Sequence, residues 1–276
     1  KPFWPKPPGR AARGPRPCRQ ELPPPSGSMS QAPEGLVVVP SFVSAAEEEA
    51  LAAEVLSAHG AWLDKSHLRF SNTRQQEYGA CISDAMEVVD GGRAPPLPPA
   101  FRRLAARVSA EAARQGLGGA AGFAAEGQGF LRVNHYMAEG GGYMHKHMDS
   151  QKCFGPVIAC CSLLADAGMT FYDTKGNSFG MARVHRTTEV SIPRRSLYFM
   201  SGPARFQWQH GIRKDQCPKE RISLTFRTVR EDAPRARAAR AADSRRAPPK
   251  QASRRQAVLK RPAGAAAPGR PKGPRR

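Results

Sequence analysis

Arg221-Ile222-Ser223-Leu224-Thr225-Phe226-Arg227 decides how the rest of the chain is read. Residues two apart in a strand share a face, so Arg221, Ser223, Thr225 and Arg227 stand on one side and Ile222, Leu224 and Phe226 on the other. The arginines would suit ion pairs at a sheet edge. The apolar alternation around them instead makes their own face interior, where a guanidinium without an anion is costly. Further strands are expected at Phe130–Met137, Val157–Leu164, Met169–Asp173, Glu189–Ile192 and Ser196–Met200, with Arg221–Val229 the last. Gly140-Gly141-Gly142, Asp166-Ala167-Gly168 and Lys175-Gly176-Asn177 separate them as turns. Ahead of Gly127 the pattern is helical. Ser44-Ala45-Ala46-Glu47 is a capping box opening a helix with Leu51, Val55 and Leu56 on one face. Pro98-Pro99 precede a second helix carrying Phe101, Leu104 and Val108 at helical spacing. Gly35–Pro40 reads as a short strand. Two helices followed by many short strands predict an α+β fold, a double-stranded β-helix (jelly-roll) core with the N-terminal helices packed on one side.

The 276 residues allow one sizeable domain or two small ones. The net charge of +20 is uneven. Residues 231–276 hold 14 Lys/Arg against 3 Asp/Glu, residues 1–30 hold six against one, and +4 remains for 31–230. Residues 1–33 are expected to be a disordered Pro/Arg-rich segment, 34–230 the folded domain and 231–276 a disordered basic tail. Six cysteines show neither a CxxC pair nor disulfide-framework spacing, which fits a reducing, intracellular setting, nucleus or cytoplasm. No apolar run approaches the roughly 18 residues of a membrane span, and no signal-type apolar region precedes a cleavage site, so no membrane partner is expected. The chain opens on Lys, as a fragment would, and Met29 is a candidate internal start. The basic tail leans toward nucleic acid, because Lys/Arg–phosphate contacts supply sequence-independent affinity; an import signal or a merely solvated tail is the other reading.

Chemistry gathers in His147-Met148-Asp149 and in Trp208-Gln209-His210-Gly211-Ile212. In an extended strand His147 and Asp149 would grip one metal together, with His210 arriving from a distant strand. Two imidazoles, one carboxylate and open positions make the facial triad of non-haem Fe(II) oxygenases. Two guanidinium groups nearby suit a small dicarboxylate co-substrate, since arginine offers a rigid fork for carboxylates. Asn134 and Tyr136 would face the same interior and His135 the opposite side. His145 competes with His147 as ligand; a carboxylate two residues downstream favours His147, leaving His145 at the rim or against substrate. His59, His67 and His185 have no partner pattern.

These motifs, in this order, resemble the AlkB family of Fe(II)- and 2-oxoglutarate-dependent dioxygenases over most of 34–229. The resemblance runs through Gly35-Leu36-Val37-Val38-Val39-Pro40-Ser41-Phe42, Arg74 with Tyr78-Gly79, Pro96-Leu97-Pro98 and Asn134-x-Tyr136 before Gly140. It continues through Gly202-Pro203-Ala204-Arg205-Phe206, the His210 segment and the closing Arg221–Arg227 run. Family members have about two fewer residues between the asparagine and the ligand histidine, and the added length falls on Gly140-Gly141-Gly142. Strict spacing would select His145, with no carboxylate two residues on. The resemblance implies iron held by His147, Asp149 and His210. It implies Arg221, Asn134 and Tyr136 on the distal carboxylate of 2-oxoglutarate, with Arg227 on the carboxylate beside the keto group. The implied activity is oxidative demethylation of alkylated DNA or RNA bases by a monomer; a protein-modifying dioxygenase, on methyl-lysine or by side-chain hydroxylation, is the alternative. A metal-binding jelly roll without catalysis is the non-enzyme reading. Trp62, Phe70, Tyr78 and His145 are candidate substrate contacts, and core packing accounts for the three aromatics equally well.

Overall fold

Alternation along the last long strand, β11 (Arg221–Val229), sorts the chain into layers. Ile222, Leu224 and Phe226 join a core with Leu51 and Val55 of helix α1 (Ala45–Ser57) and with Phe101, Leu104 and Val108 of helix α2 (Pro99–Arg114). The opposite face looks into the space between two sheets. The computed structural model describes residues 31–57, 62–63, 71–92, 94–137, 139, 141–178 and 180–237.

Eleven other strands are described: β1 (Leu36–Val39), β2 (Thr73–Gly79), β3 (Val88–Asp90), β4 (Gly129–Tyr136), β5 (Met144–His147), β6 (Phe154–Leu163), β7 (Ala167–Asp173), β8 (Arg186–Ile192), β9 (Leu197–Met200), β10 (Trp208–Ile212) and β12 (Arg235–Arg237). A six-stranded sheet runs β1-β9-β6-β11-β4-β2 and a four-stranded one β5-β10-β7-β8, every pairing antiparallel. Between the sheets lies a second core that includes Phe130, Ile158, Phe171, Tyr198 and Trp208. This is the jelly roll with helices on one side that the pattern predicts. Outer residues of β4, β6, β9 and β11 pack on the helices; their inner neighbours build the site.

The capping box is formed as read: Glu47 N donates to Ser44 Oγ (3.2 Å) and Ser44 N to Glu47 Oε2 (2.9 Å). One helical expectation needs correcting. Leu51 and Val55 are buried but Leu56 is 43% exposed, because five residues along a helix turn a side chain well away from the first. Buried Glu48 ties α1 to the turn after β8, accepting from Arg194 Nε (2.8 and 2.9 Å) and from Leu164 N (2.6 Å).

The expected tail boundary also moves. Residues 231–237 are ordered, and β12 pairs in parallel with β3, with Val88 N donating to the Pro234 carbonyl (2.8 Å) and Arg235 paired with Asp90 (2.7 Å). A three-residue strand held by backbone bonds and one ion pair needs no apolar face, which is why composition missed it. Residues 1–30 and 238–276, and with them most of both expected disordered segments, lie outside the described residues.

Candidate metal and co-substrate site

The register of β5 against β10 sets His147 directly opposite His210, and their rings lie 4.4 Å apart. Strand β5 ends at His147, so the two-residue rule does not by itself place Asp149. Two arginines do. Buried Arg205, in the short helix α3 (Gly202–Phe206), donates to the carbonyls of Asp149 (2.8 Å) and Ser150 (2.9 Å). Arg227 grips the Asp149 carboxylate at Oδ1 through Nε (3.1 Å) and Nη2 (2.7 Å). His147, Asp149 and His210 then offer ligand atoms all within 4.8 Å of one another.

The protonation states suit a cation. His147 Nδ1 is 3.0 Å from the His145 carbonyl; a carbonyl only accepts, so that nitrogen carries the proton and Nε2 the lone pair. Burial pushes His210 down to about 3, with His147 adding to the effect against Asp149. Burial likewise lowers His147, opposed by Asp149. Burial alone would raise the Asp149 carboxyl, but Arg227, then His147, His210 and Arg205, hold it well below the usual carboxylate range. Two neutral imidazoles and one carboxylate are the forms that bind metal. Asp149 Oδ2 and His210 Nδ1 are buried with no hydrogen-bond partner. Buried polar atoms are rarely left so, and a divalent ion among these residues would give the second Asp149 oxygen a partner. The donor set therefore fits Fe(II).

Beside the three residues opens a cavity of about 420 Å³, lined by Asn134, Tyr136, Ser223, Thr225 and Arg227 on the six-stranded side. Asn134 accepts from Gln75 Nε2 (3.1 Å) and donates to Ser223 Oγ (3.4 Å). Burial pushes the Tyr136 phenol up to about 12, so it stays a neutral donor. Arg221 is fully buried behind this wall, 5.0 Å from the Tyr136 ring centroid, and does not line the cavity. Its Nε donates to Ser162 Oγ (2.9 Å), while Nη1 and Nη2 have no hydrogen-bond partner.

Other candidates sit elsewhere. His145 is exposed, its ring 5.1 Å from that of Tyr143. His135 is buried against Glu220 (2.7 Å) and Trp62. Trp62 and Tyr78 do not line the cavity. Tyr78 packs edge-on against Phe101, because on β2 it stands on the face opposite Gln75, and Trp62 lies under Arg74. Phe70, His59 and His67 lie outside the described residues, and His185 takes no part. Sequence reasoning missed Gln75, on a strand without apolar alternation, and Arg132, which lines the cavity while paired to Glu77 (2.6 Å). It also missed Tyr198 and the methionines 86, 144, 148, 169 and 200 that line the same space. Their spacing follows no single period, since they come from five segments.

If His147 and not His145 is a ligand, His147→Ala lowers affinity for Co(II), an Fe(II) substitute, by more than about a hundredfold. Loss of a mere outer-shell partner already costs ~10–100-fold. His145→Ala leaves it within about twofold; titration followed by the cobalt absorption bands reads both, and the opposite ranking sinks the assignment.

The model of a family described as the 2OG-Fe(II) oxygenase superfamily matches residues 35–227. Among curated proteins, the mouse (Mus musculus) tRNA (carboxymethyluridine(34)-5-O)-methyltransferase ALKBH8 is 26% identical over 180 residues, covering 65% of this chain and 24% of that protein. The uncharacterized protein L905 of Acanthamoeba polyphaga mimivirus is 35% identical over 106 residues, 35% of this chain and 46% of that one. The chain thus spans about a quarter of the first and under half of the second. Among solved structures, that of OsALKBH1 superposes with a TM-score of 0.50 at 15% identity, over 70% of this chain and 97% of that one, a likeness of fold.

Proposed function

We propose an activity for this chain from one premise: it belongs to the 2OG-Fe(II) oxygenase superfamily. It is an AlkB-like dioxygenase that uses Fe(II) and 2-oxoglutarate, and the proposed reaction is oxidative demethylation of alkylated bases in DNA or RNA. The observation that carries the chemistry is the convergence of His147, Asp149 and His210 at one end of a cavity backed by buried arginines. The nucleic-acid part draws support from the likeness to ALKBH8, a protein named for tRNA, and from the net charge of +20.

In this reading His147, Asp149 and His210 hold the metal. Arg227 holds Asp149 ionised and turns its second oxygen inward, and its Nη1, buried with no hydrogen-bond partner, is left for the co-substrate carboxylate beside the keto group. Arg221, with Asn134 and Tyr136, takes the distal carboxylate. With dioxygen, the bound metal and 2-oxoglutarate supply the oxidising power to hydroxylate a substrate methyl, giving succinate and carbon dioxide as co-products. An N-hydroxymethyl group made in this way sheds formaldehyde. Met144, Met169, Met200 and Ile212 give the cavity an apolar lining, which keeps water from the reacting groups and adapts to the shape of a planar base.

Formaldehyde release tests this against three probes, N-methylated DNA oligonucleotides, N-methylated RNA oligonucleotides and methyl-lysine peptides, with Fe(II) and 2-oxoglutarate supplied. Release from an oligonucleotide is expected. Release from peptides alone overturns the nucleic-acid reading in favour of a protein-modifying enzyme.

Residues 238–276 carry 12 Lys/Arg and one Asp. Ending the chain after Arg237, which spares β12, should weaken oligonucleotide binding. It should also flatten the plot of log affinity against log salt by at least about 2, the share of three phosphate contacts to a single strand. An unchanged slope means that the tail does not touch the nucleic acid.

A further inference from the structure

Around strands β5, β7 and β10 of the four-stranded sheet, two lysines rest over two tyrosine rings. Lys146 Nζ lies over the Tyr172 ring (5.6 Å to the centroid) and Lys214 Nζ over the Tyr143 ring (5.4 Å), while Tyr143 also packs against exposed His145 (5.1 Å). Neither lysine makes an ion pair among the described residues, whereas Arg213 nearby is held by Glu189 and Asp215. Both tyrosines are half-buried and Lys214 is exposed.

This cluster stands against the cavity wall. β5 is the edge strand of its sheet; its Met144 and His147 line the cavity, while Lys146 between them turns outward to Tyr172. Tyr143 immediately precedes Met144. Its placement depends on Gly141 and Gly142 just before it. A Cβ on Gly142 would lie 2.6 Å from the Tyr136 Cβ and 3.0 Å from its ring, so only glycine lets the backbone cross over that cavity residue. Asn72 pins the crossing, donating from Nδ2 to the Gly141 carbonyl (3.1 Å) and from its backbone N to the Tyr143 carbonyl (3.0 Å). Gly141 to Tyr143 are thereby held in place, and they deliver an aromatic ring to Lys214 at the cavity's flank.

We propose that Tyr143, Lys146, Tyr172 and Lys214 form a platform for single-stranded nucleic acid, seating the nucleotides that flank the one held in the cavity. The inference rests on the nucleic-acid reading above. Ring faces each paired with an ammonium group match a strand in which bases alternate with phosphates: bases stack on aromatic side chains without sequence preference, and lysines meet the backbone. An acidic peptide would use the lysines but leave the ring faces without a partner. As bases settle on the tyrosines, the ammonium groups now resting there move outward to the phosphates.

The test uses the full chain and a 15-nucleotide single-stranded DNA carrying one 1-methyladenine, with affinity measured by fluorescence anisotropy across a salt series. Lys146→Gln/Lys214→Gln should flatten the slope of log affinity against log salt by about 1.4, the share of two phosphate contacts to a single strand. Tyr143→Leu and Tyr172→Leu should each weaken binding about tenfold with little change in slope. Lys146→Arg/Lys214→Arg should keep the wild-type slope, which separates charge from misfolding. If the wild-type chain demethylates this oligonucleotide while the glutamine pair and both leucine variants bind it as wild type does, the platform is wrong and the reaction stands. If the wild-type chain releases formaldehyde from no methylated oligonucleotide, the reading beneath the platform fails and the platform with it. Tighter binding of poly-glutamate than of the oligonucleotide also overturns it.

Discussion

Arg221→Ala is expected to raise the 2-oxoglutarate concentration for half-maximal turnover by about two to three orders of magnitude while leaving Co(II) affinity nearly unchanged. The reason is a buried charge waiting for an anion. Arg221 is fully enclosed, yet only its Nε has a hydrogen-bond acceptor, the Ser162 hydroxyl. Removing one partner of a buried carboxylate–guanidinium pair costs about 3–5 kcal/mol, and ~1.4 kcal/mol is a factor of ten in affinity. Because Arg221 lies behind Tyr136 rather than on the cavity surface, the distal carboxylate meets Tyr136 and Asn134 first and the guanidinium beyond them. Tyr136→Phe should then give a smaller effect of the same kind, near the ~0.5–1.5 kcal/mol of one ordinary hydrogen bond. Metal affinity has no reason to move, since Arg221 bonds to none of the three residues proposed to hold the metal. Normal dependence on 2-oxoglutarate in Arg221→Ala would remove the co-substrate pocket from this end of the cavity.

What the sequence displayed, and what it hid, follows from how each element is held. β11 is buried on both faces, one against helices and one against the inter-sheet space, so its period-2 pattern was plain and its ends were found to the residue. β2 has the same length of ladder as its neighbour demands, yet its Thr-Arg-Gln-Gln-Glu-Tyr-Gly shows no apolar alternation. Its inward side chain, Gln75, is chosen for Asn134 and its outward one, Gln76, for the Val55 carbonyl (2.9 Å). Hydrogen-bonding partners 21 and 59 residues away cannot be read from local pattern. β12 is hidden for a related reason, its holds among the described residues being β3's backbone and Asp90. In the site, residue types and order nominated His147, Asp149 and His210. What fixes Asp149 in space is Arg205, 56 residues on. A lone arginine five residues before a histidine carries no pattern that says which carbonyls it will hold. Of the two readings open for the aromatics, core packing describes Trp62 and Tyr78, which lie on the helical side of the sheet.

The Asp149–Arg227 pair should show its energetics most openly when one partner is removed. Asp149→Ala is expected to abolish Co(II) binding and also to destabilise the metal-free fold by about 3–5 kcal/mol, the usual cost of leaving a buried charge without its partner. Arg227 is 5% exposed and lies against both rings of the stacked Phe130–Phe154 pair, its centre 5.9 and 5.2 Å from their centroids, so without the carboxylate its charge is left with little but aromatic surface and the cavity beside it. Asp149→Ala/Arg227→Met removes the stranded charge and keeps most of the volume. It should recover the greater part of that stability in urea denaturation, with no recovery of metal binding. The comparison separates two roles proposed for one carboxylate, Oδ1 for the fold and Oδ2 for the ion. It also bears on why so costly an arrangement persists, since apolar replacements of buried pairs are often at least as stable. The pair keeps a carboxylate ionised inside an apolar wall, which a metal requires and the fold alone does not. A metal-free Asp149→Ala protein as stable as the wild type would show that Arg227 finds another partner, and that Arg205 alone is enough to place the loop.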